Sequence, residues 1–194
     1  MESTGPFSTE ILSLTMNKIV TIFGSSAPED NSEEFTMAYE CGRQLAIAGF
    51  TVCNGGYGGT MRASAMGAKQ AGGKTIGVGV SSWSRKPNDW IEQEFTEATL
   101  VGRLMKLVEL GDAYVVLPGG TGTLLELACV LELINKEIIG QKPVVMVGDF
   151  WNGVIETVER APHPNGAVGS RRLVQNVRNP EELATYLKSV LVRQ

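Results

Sequence analysis

The chain has 194 residues, of which 43% are hydrophobic, and its 21 acidic and 17 basic residues give a net charge of −4. This length and composition predict one globular domain with a sizeable core and exclude a disordered chain. The acidic balance argues against a nucleic-acid partner and against binding to an anionic membrane surface, because both attract basic proteins.

Residues 1–16 contain no lysine or arginine, so they lack the basic start of a secretory signal. We expect them to form a mobile N-terminal tail ahead of a single domain that spans residues 17–194. No apolar run reaches the roughly 20 residues that a membrane span needs. The three cysteines form no CxxC pair, so neither a metal site nor disulfides are expected. We therefore predict a cytoplasmic protein with no metal and no cofactor.

Short apolar runs alternate with longer segments of helical periodicity along the chain. In chain order the predicted elements are strand 18–23, helix 32–48, strand 50–53, helix 60–71, strand 75–80, helix 100–110, strand 113–117, helix 124–136, strand 144–147, helix 151–160, strand 174–177 and helix 180–191. Residues 81–98 follow neither pattern, and we expect an irregular excursion over the edge of the sheet.

The predicted strands are continuous apolar runs, which is typical of parallel strands that are covered by helices on both faces. Their alternation with helices predicts an α/β protein with a Rossmann-like doubly wound parallel sheet. In such a sheet, ligands bind beyond the carboxyl ends of the strands, where loops lead into helix N-termini.

Three glycine-rich turns follow predicted strands and are the candidate phosphate-binding or nucleotide-binding segments. Glycine lets an anion approach backbone N–H groups, and the N-terminus of a following helix adds partial positive charge. The alternative is that these glycines only form tight turns, since short glycine motifs also occur by chance. No turn is a Walker A loop, and no acidic residue ends the second strand as in NAD sites. The residues are Gly24, Ser25, Gly55, Gly56, Gly59, Thr60, Gly119, Gly120, Thr121, Gly122 and Thr123.

Two charged residues stand apart from their neighbours. Glu126 is predicted to lie in the first turn of helix 124–136, where a carboxylate among apolar residues and beside a phosphate-binding turn favours a functional role. The structural alternative is a carboxylate that is stabilised by the helix dipole. Arg103 is either a solvated helix residue or a donor of paired hydrogen bonds to a phosphate or a ribose hydroxyl.

The segment Pro118-Gly-Gly-Thr-Gly-Thr-Leu-Leu-Glu126 matches the signature PGGxGTxxE, and it directly follows the predicted strand 113–117. On this segment the chain resembles the LOG (LONELY GUY) family, which is often labelled "possible lysine decarboxylase" and shares a superfamily with molybdenum cofactor carrier proteins. The resemblance extends over residues 18–151, and includes Phe23-Gly-Ser-Ser26 and Gly55-Gly56.

The resemblance implies a phosphoribohydrolase that cleaves a cytokinin riboside 5′-monophosphate, or a similar nucleotide, to free base and ribose 5-phosphate. It implies Glu126 and Arg103 as the catalytic pair, although the family's usual His-Glu-Arg-Lys stretch is Val101-Gly-Arg-Leu104 here. Arg62 replaces a glycine that is common in the family, and is a further candidate for phosphate binding.

Two alternatives without catalysis remain open, namely a molybdenum-cofactor (pterin phosphate) carrier and a nucleotide-binding regulatory protein. Helix 124–134 is apolar nearly all round, which predicts burial on every side, in part by another subunit. We therefore expect a homodimer or a higher homo-oligomer, as in the family. Trp83, Trp90 and Trp151 are candidates for the core, for a base pocket or for a subunit contact, and His163 is expected to be an exposed loop residue.

Overall fold

The computed structural model describes residues 17–160 and 174–192. The predicted tail at residues 1–16 and His163 lie outside the described residues. The strands are β1 (Ile19–Phe23), β2 (Thr51–Asn54), β3 (Thr75–Val80), β4 (Gln93–Glu97), β5 (Ala113–Val116), β6 (Val144–Val147) and β7 (Gln175–Val177). The helices are α1 (Glu33–Ile47), α2 (Thr60–Gln70), α3 (Leu100–Leu110), α4 (Thr121–Asn135), α5 (Asn152–Glu159) and α6 (Pro180–Leu191).

The strands form one parallel sheet of seven strands in the order β4-β3-β2-β1-β5-β6-β7. The chain builds outward from β1 to β4, returns to the other side of β1, and builds outward again from β5 to β7. This reversal between β1 and β5 is the place where an open parallel sheet leaves a crevice at its carboxyl edge. The predicted Rossmann-like doubly wound sheet is confirmed.

Helices cover both faces of the sheet and divide the core into two layers. Side chains of α1, α2 and α6 pack with alternate residues of β1, such as Val20 and Ile22, on one face. Side chains of α3, α4 and α5 pack on the other face, where Phe23 of β1 and Tyr114 of β5 stack with ring centroids 5.9 Å apart. Burial on both faces explains why the inner strands are continuous apolar runs.

The edge strand β4 was not predicted from the sequence. It pairs in parallel with β3, from Gln93 opposite Ile76 to Glu97 opposite Val80. An edge strand buries little, and the five residues of β4 are all exposed or partly exposed, with Phe95 as the single apolar one. The prediction of an irregular segment over residues 81–98 was therefore wrong for residues 93–97, while residues 81–92 contain neither strand nor helix.

Helix α4 begins at Thr121 rather than at residue 124. Gly120 is the N-cap, and its carbonyl accepts the first backbone hydrogen bond of the helix, from the N–H of Leu124 at 3.0 Å. The apolar pattern that predicted the helix starts only at Leu124, because the residues before it face the crevice. Glu126 consequently lies in the second turn, where the helix dipole stabilises it less than in the first.

In the part of the chain that the structure describes, no helix combines the length and the apolar character that a membrane crossing requires.

Candidate active site

The three glycine-rich turns surround one crevice at the carboxyl edge of the sheet. Gly24 directly follows β1, Gly55 directly follows β2, and Gly119 follows the strand end at β5. The pairing of β1 with β5 continues past the strand, since the N–H of Leu117 donates to the carbonyl of Phe23 at 2.9 Å. The turns after these two strands therefore lie side by side at the point where the strand order reverses.

The crevice is a cavity of about 370 Å³. Its volume lies near the lower end of the range for small-molecule sites, about 300–1,000 Å³. Apolar side chains form part of the wall, including Met61, Leu100 and Leu125. The predicted site residues that line it are Gly24, Ser25, Gly55, Arg103, Gly120, Thr121, Gly122, Thr123 and Glu126.

Two of the predicted binding residues hold the turns together and do not line the cavity. Thr60 donates both its backbone N–H and its hydroxyl to the carbonyl oxygen of Ser25, at 2.9 and 3.0 Å. The N–H of Gly56 donates to Oδ1 of Asn54 at 2.8 Å. These donors are therefore occupied by protein acceptors, and they shape the crevice instead of facing it.

Two glycines permit close approach of the turns and likewise lie outside the cavity lining. A Cβ at Gly59, which has a φ of +61°, would lie 2.4 Å from the carbonyl oxygen of Ser25. A Cβ at Gly119 would lie 2.2 Å from Oγ1 of Thr123. At these two positions the structure supports the alternative interpretation of the sequence, in which the glycine only permits a tight turn.

The structure does not bring Arg62 to the cavity. Its guanidinium pairs with the carboxylate of Asp30 and lies over the ring of Phe35, 5.9 Å from the ring centroid. Arg62 is instead engaged by an acidic partner in the loop before α1, and its contact with a bound phosphate stays a prediction.

The N-terminal turn of α4 presents backbone amides to the cavity. Residues 120–123 line the cavity. Because the N-cap residue is Gly120, no side chain of the cap residue accepts a hydrogen bond from these amides. Because the first N–H groups of a helix have no acceptor within the helix, they are available to a ligand. Together with the partial positive charge of the helix N-terminus, they favour an anion such as phosphate.

Arg103 is held in a fixed position on α3, and only 7% of the residue is exposed. Its Nε donates to the carbonyl of Val78 at 2.8 Å. Its guanidinium carbon lies 5.7 Å from the ring centroid of Tyr57 and 5.8 Å from that of Trp83, within cation–π distance. Of the two sequence interpretations of Arg103, the solvated helix residue is wrong.

Glu126 faces Arg103 across the cavity wall. Oε1 of the glutamate lies 3.7 Å from Nη1 of the arginine, and their side chains are 14% and 9% exposed. Burial raises the pKa of Glu126 to about 7, although the charge of Arg103 acts to lower it. A buried carboxyl group that titrates near neutrality is suited to proton transfer. Residues 17–160 and 174–192 contain no cluster of three or more histidine, cysteine or acidic side chains that would hold a metal ion.

Several residues of the cavity wall were not among the predicted site residues, although Trp83 was a candidate for a base pocket. Tyr57 belongs to the turn after β2, while Trp83 and Arg85 belong to the irregular segment after β3. For Trp83 the structure favours the pocket over the core, because the residue lines the cavity and is 38% exposed. Their position in the sequence could have identified the residues after β3 as site candidates, because this segment starts from the same edge of the sheet as the glycine turns.

Comparisons with known proteins identify a family for the chain. A family model described as "SLOG cluster4 family" matches residues 17–178. A protein of Archaeoglobus fulgidus called "Uncharacterized protein" is 33% identical over 147 residues, which are 74% of this chain and 93% of the relative. A protein of Mycobacterium tuberculosis called "Cytokinin riboside 5'-monophosphate phosphoribohydrolase" is 30% identical over 160 residues, 75% of this chain and 83% of the relative.

Solved structures share the fold. The molybdenum cofactor binding protein from the phototrophic bacterium Rippkaea orientalis superposes with a TM-score of 0.72 at 24% sequence identity. The match covers 90% of this chain and 98% of that protein. At this identity the likeness concerns the architecture alone.

Proposed function

The chain belongs to the SLOG cluster4 family, and from this membership and the geometry of its cavity we propose that it is a nucleoside 5′-monophosphate phosphoribohydrolase of the cytokinin-activating type. The resemblance to the LOG family is confirmed, since relatives at about 30% identity carry the phosphoribohydrolase name. The observation that carries the proposal is the buried pair of Arg103 and Glu126, 3.7 Å apart, in a cavity lined by the N-terminal turn of α4.

In the proposed reaction, the first turn of α4 holds the 5′-phosphate. Its backbone amides are donors, and the hydroxyls of Ser25, Thr121 and Thr123 border the same cavity. A phosphate gains both hydrogen bonds and the favourable field of the helix N-terminus there. Fixing this end of the nucleotide orients the ribose, so that the reaction no longer requires a chance encounter with the catalytic carboxylate.

Glu126 acts at C1′ of the ribose. Cleavage of the N-glycosidic bond passes through an oxocarbenium-like state with positive charge at C1′ and the ring oxygen, as in glycoside hydrolysis. The ionised carboxylate stabilises this charge and accepts a proton from the attacking water, whose oxygen bonds to C1′ while the base leaves with the bonding electrons. The departing base takes up a proton from solvent, and Glu126 releases to solvent the proton that it accepted, which restores the carboxylate. A pKa of about 7 leaves a substantial ionised fraction at neutral pH.

Arg103 orients the sugar and keeps Glu126 partly ionised. Its Nε is occupied by the carbonyl of Val78. The Nη1 group that faces Glu126 is therefore the donor that reaches a ribose hydroxyl or a phosphate oxygen.

The second candidate is a binding protein without catalysis, either a molybdenum-cofactor (pterin phosphate) carrier or a nucleotide-binding regulator. The reason to consider a carrier is that the chain shares its fold with a molybdenum cofactor binding protein. A carrier needs the amides at α4 to hold a phosphate. It has no evident use for a buried carboxyl group with a pKa of about 7 beside an arginine, which is why the hydrolase is preferred.

We also propose that two copies of the chain associate through α3 and α4. Val101 and Met105 of α3 and Leu124 and Leu125 of α4 are between 38% and 66% exposed. Between Thr121 and Leu131, the one charged residue of α4 is Glu126, which is turned inward with 14% exposure of its side chain. A surface without charge is suited to a two-fold contact, because each residue there meets the same surface of the other copy. Leu125 also lines the cavity, so the contact would border the site.

The proposed activity is tested by incubating the purified protein with AMP and with N6-substituted adenosine 5′-monophosphates. Free base and ribose 5-phosphate are then quantified by chromatography. Equal amounts of both products, formed in proportion to enzyme, support the hydrolase. Binding of the nucleotides without any release of base contradicts the hydrolase and favours the carrier or regulator.

A further inference from the structure

The cavity has an aromatic wall that the proposed catalytic steps do not use. The rings of Tyr57 and Trp83 lie 5.6 Å apart between centroids, at an interplanar angle of 38°. Tyr57 is 7% exposed, and its hydroxyl accepts a hydrogen bond from the N–H of Val80 at 2.9 Å. Tyr57 is thus a fixed support, against which the more exposed Trp83 rests.

Trp83 is packed on one side and open on the other. The Tyr57 ring and the Arg103 guanidinium both lie within 5.8 Å of its ring centroid, yet 38% of the residue remains exposed and it lines the cavity. Among the residues that the structure describes, no acceptor receives a hydrogen bond from the indole N–H of Trp83. The indole therefore offers π surface to a ligand without being committed to the fold.

The indole is also close to the proposed reacting centre. Arg103 contacts both groups, with its Nη1 3.7 Å from Oε1 of Glu126 and its guanidinium carbon 5.8 Å from the Trp83 ring centroid. A base that is joined to a C1′ atom beside Glu126 therefore lies within reach of the indole. The apolar side chains of Leu100 and Leu104 line the same cavity, where a flat, poorly hydrated group is favoured over a charged one.

We propose that Trp83 is a specificity-determining residue, on which the planar base of the bound nucleotide stacks. The inference rests on the proposed function in that it takes a nucleoside monophosphate as the ligand. Stacking on an aromatic side chain accepts any base, since every base has a π face. It favours the larger purines over pyrimidines through contact area, in agreement with the adenine nucleotides that the proposed function takes as substrates.

A positioning role for Trp83 predicts a different result. If Trp83 served only to hold Arg103, its removal would weaken every ligand that Arg103 contacts, including ribose 5-phosphate, which has no base. If the base stacks on Trp83, removal weakens AMP and leaves ribose 5-phosphate unaffected. The two ligands therefore separate the two roles within one variant.

The experiment measures binding by calorimetry in the full chain with Glu126→Gln, because this variant should slow turnover during the titration by roughly 100-fold or more. We expect Trp83→Ala to weaken AMP binding about 5- to 100-fold, the range found for base–aromatic stacking, with ribose 5-phosphate changed less than about twofold. Trp83→Phe keeps a π surface, and should retain most of the AMP affinity. Trp90→Phe is the matched control, because Trp90 is absent from the cavity lining and should leave both affinities unchanged.

Three outcomes overturn the proposal: an unchanged AMP affinity in Trp83→Ala, an equal loss for AMP and ribose 5-phosphate, or no AMP binding when Trp83 is present. Its failure is distinguishable from failure of the proposed function. AMP binding that depends on Trp83, together with no release of base by the wild type, contradicts the hydrolase alone. Hydrolysis of AMP with an unchanged KM in Trp83→Ala contradicts the stacking alone.

Discussion

The guanidinium of Arg103 lies directly against the backbone of Gly55. A Cβ at position 55 would stand 1.6 Å from Nη2 of Arg103 and 2.6 Å from Sδ of Met61. Arg103 can therefore reach Glu126 from α3 only if residue 55 has no side chain. The glycine after β2 serves the arginine at least as much as it serves a bound anion.

Gly55→Ala should displace the guanidinium and lower kcat/KM by about tenfold or more, since small misplacements of catalytic groups can cost roughly 100-fold. The atoms in the way are the ends of flexible side chains, so the protein should still fold, with a Tm near that of the wild type. The measurement is steady-state hydrolysis of AMP together with thermal melting. Gly153→Ala on α5 is the control, because a Cβ there meets nothing within 4 Å. Full activity in Gly55→Ala would mean that Arg103 is not needed in this position.

Glu126→Gln should lower turnover by roughly 100-fold or more, which is the usual contribution of a group that transfers a proton in the transition state. The variant keeps the shape of the side chain and the phosphate-binding amides, so AMP should still bind. Glu132→Gln is the matched control on the same helix, because its side chain is 60% exposed. Undiminished turnover in Glu126→Gln would refute the catalytic assignment.

The pH dependence of kcat/KM should show an acidic limb near neutrality. Burial raises the pKa of Glu126 from 4.5 to about 7, and the proposed mechanism needs the carboxylate form. Activity should therefore rise with pH through about 7 and level off above it. The measurement covers pH 5–9 at constant ionic strength. Activity that stays nearly constant down to pH 5, as expected for a carboxyl group with the ordinary glutamate pKa of about 4.3, would contradict a buried catalytic carboxylate.

Arg103→Met should move that acidic limb to higher pH as well as reduce activity. The charge of Arg103 lowers the pKa of Glu126, so its removal leaves burial unopposed and raises this pKa further. Arg103→Lys keeps a positive charge and should shift the limb less. We expect the apparent pKa of the limb to increase from the wild type to Arg103→Lys and again to Arg103→Met. An unchanged limb in Arg103→Met would show that the two side chains do not interact in solution.

The sequence predicted the sheet well because burial on both faces leaves a strong pattern. Runs such as that of β5 are apolar throughout, because each of these strands lies between two layers of helices. The edge strand β4 left no such pattern, because its residues are exposed or half-exposed. It forms because it completes the hydrogen bonding of β3, a property that is set by the fold rather than by local composition.

Arg103 and Glu126, for which we propose a catalytic role, were both singled out from the sequence, whereas most of the cavity wall around them was not. Glu126 stands in a signature of fixed spacing. Arg62 was a further candidate for phosphate binding in the sequence, and only the structure shows that it is engaged by Asp30, 32 residues away. Trp83 lies in residues 81–92, whose path depends on contacts such as that with Tyr57 and follows no periodicity. Interactions between residues that are distant in the chain thus decided the parts of the site that the sequence left open.

The proposed association of two copies predicts that a single charge on α3 will separate them. Val101 is 66% exposed and does not line the cavity, so Val101→Asp places a carboxylate in the contact, twice over in a two-fold pair, without entering the site. Light scattering coupled to gel filtration should give the mass of two chains or more for the wild type and of one chain for the variant. Ile47→Asp on α1 is the control, since Ile47 is 60% exposed on the opposite layer of helices and should leave the wild-type mass unchanged. A wild-type mass of one chain at tens of micromolar would contradict the proposal, and the exposed leucines of α4 would then have to be explained by the ligand alone.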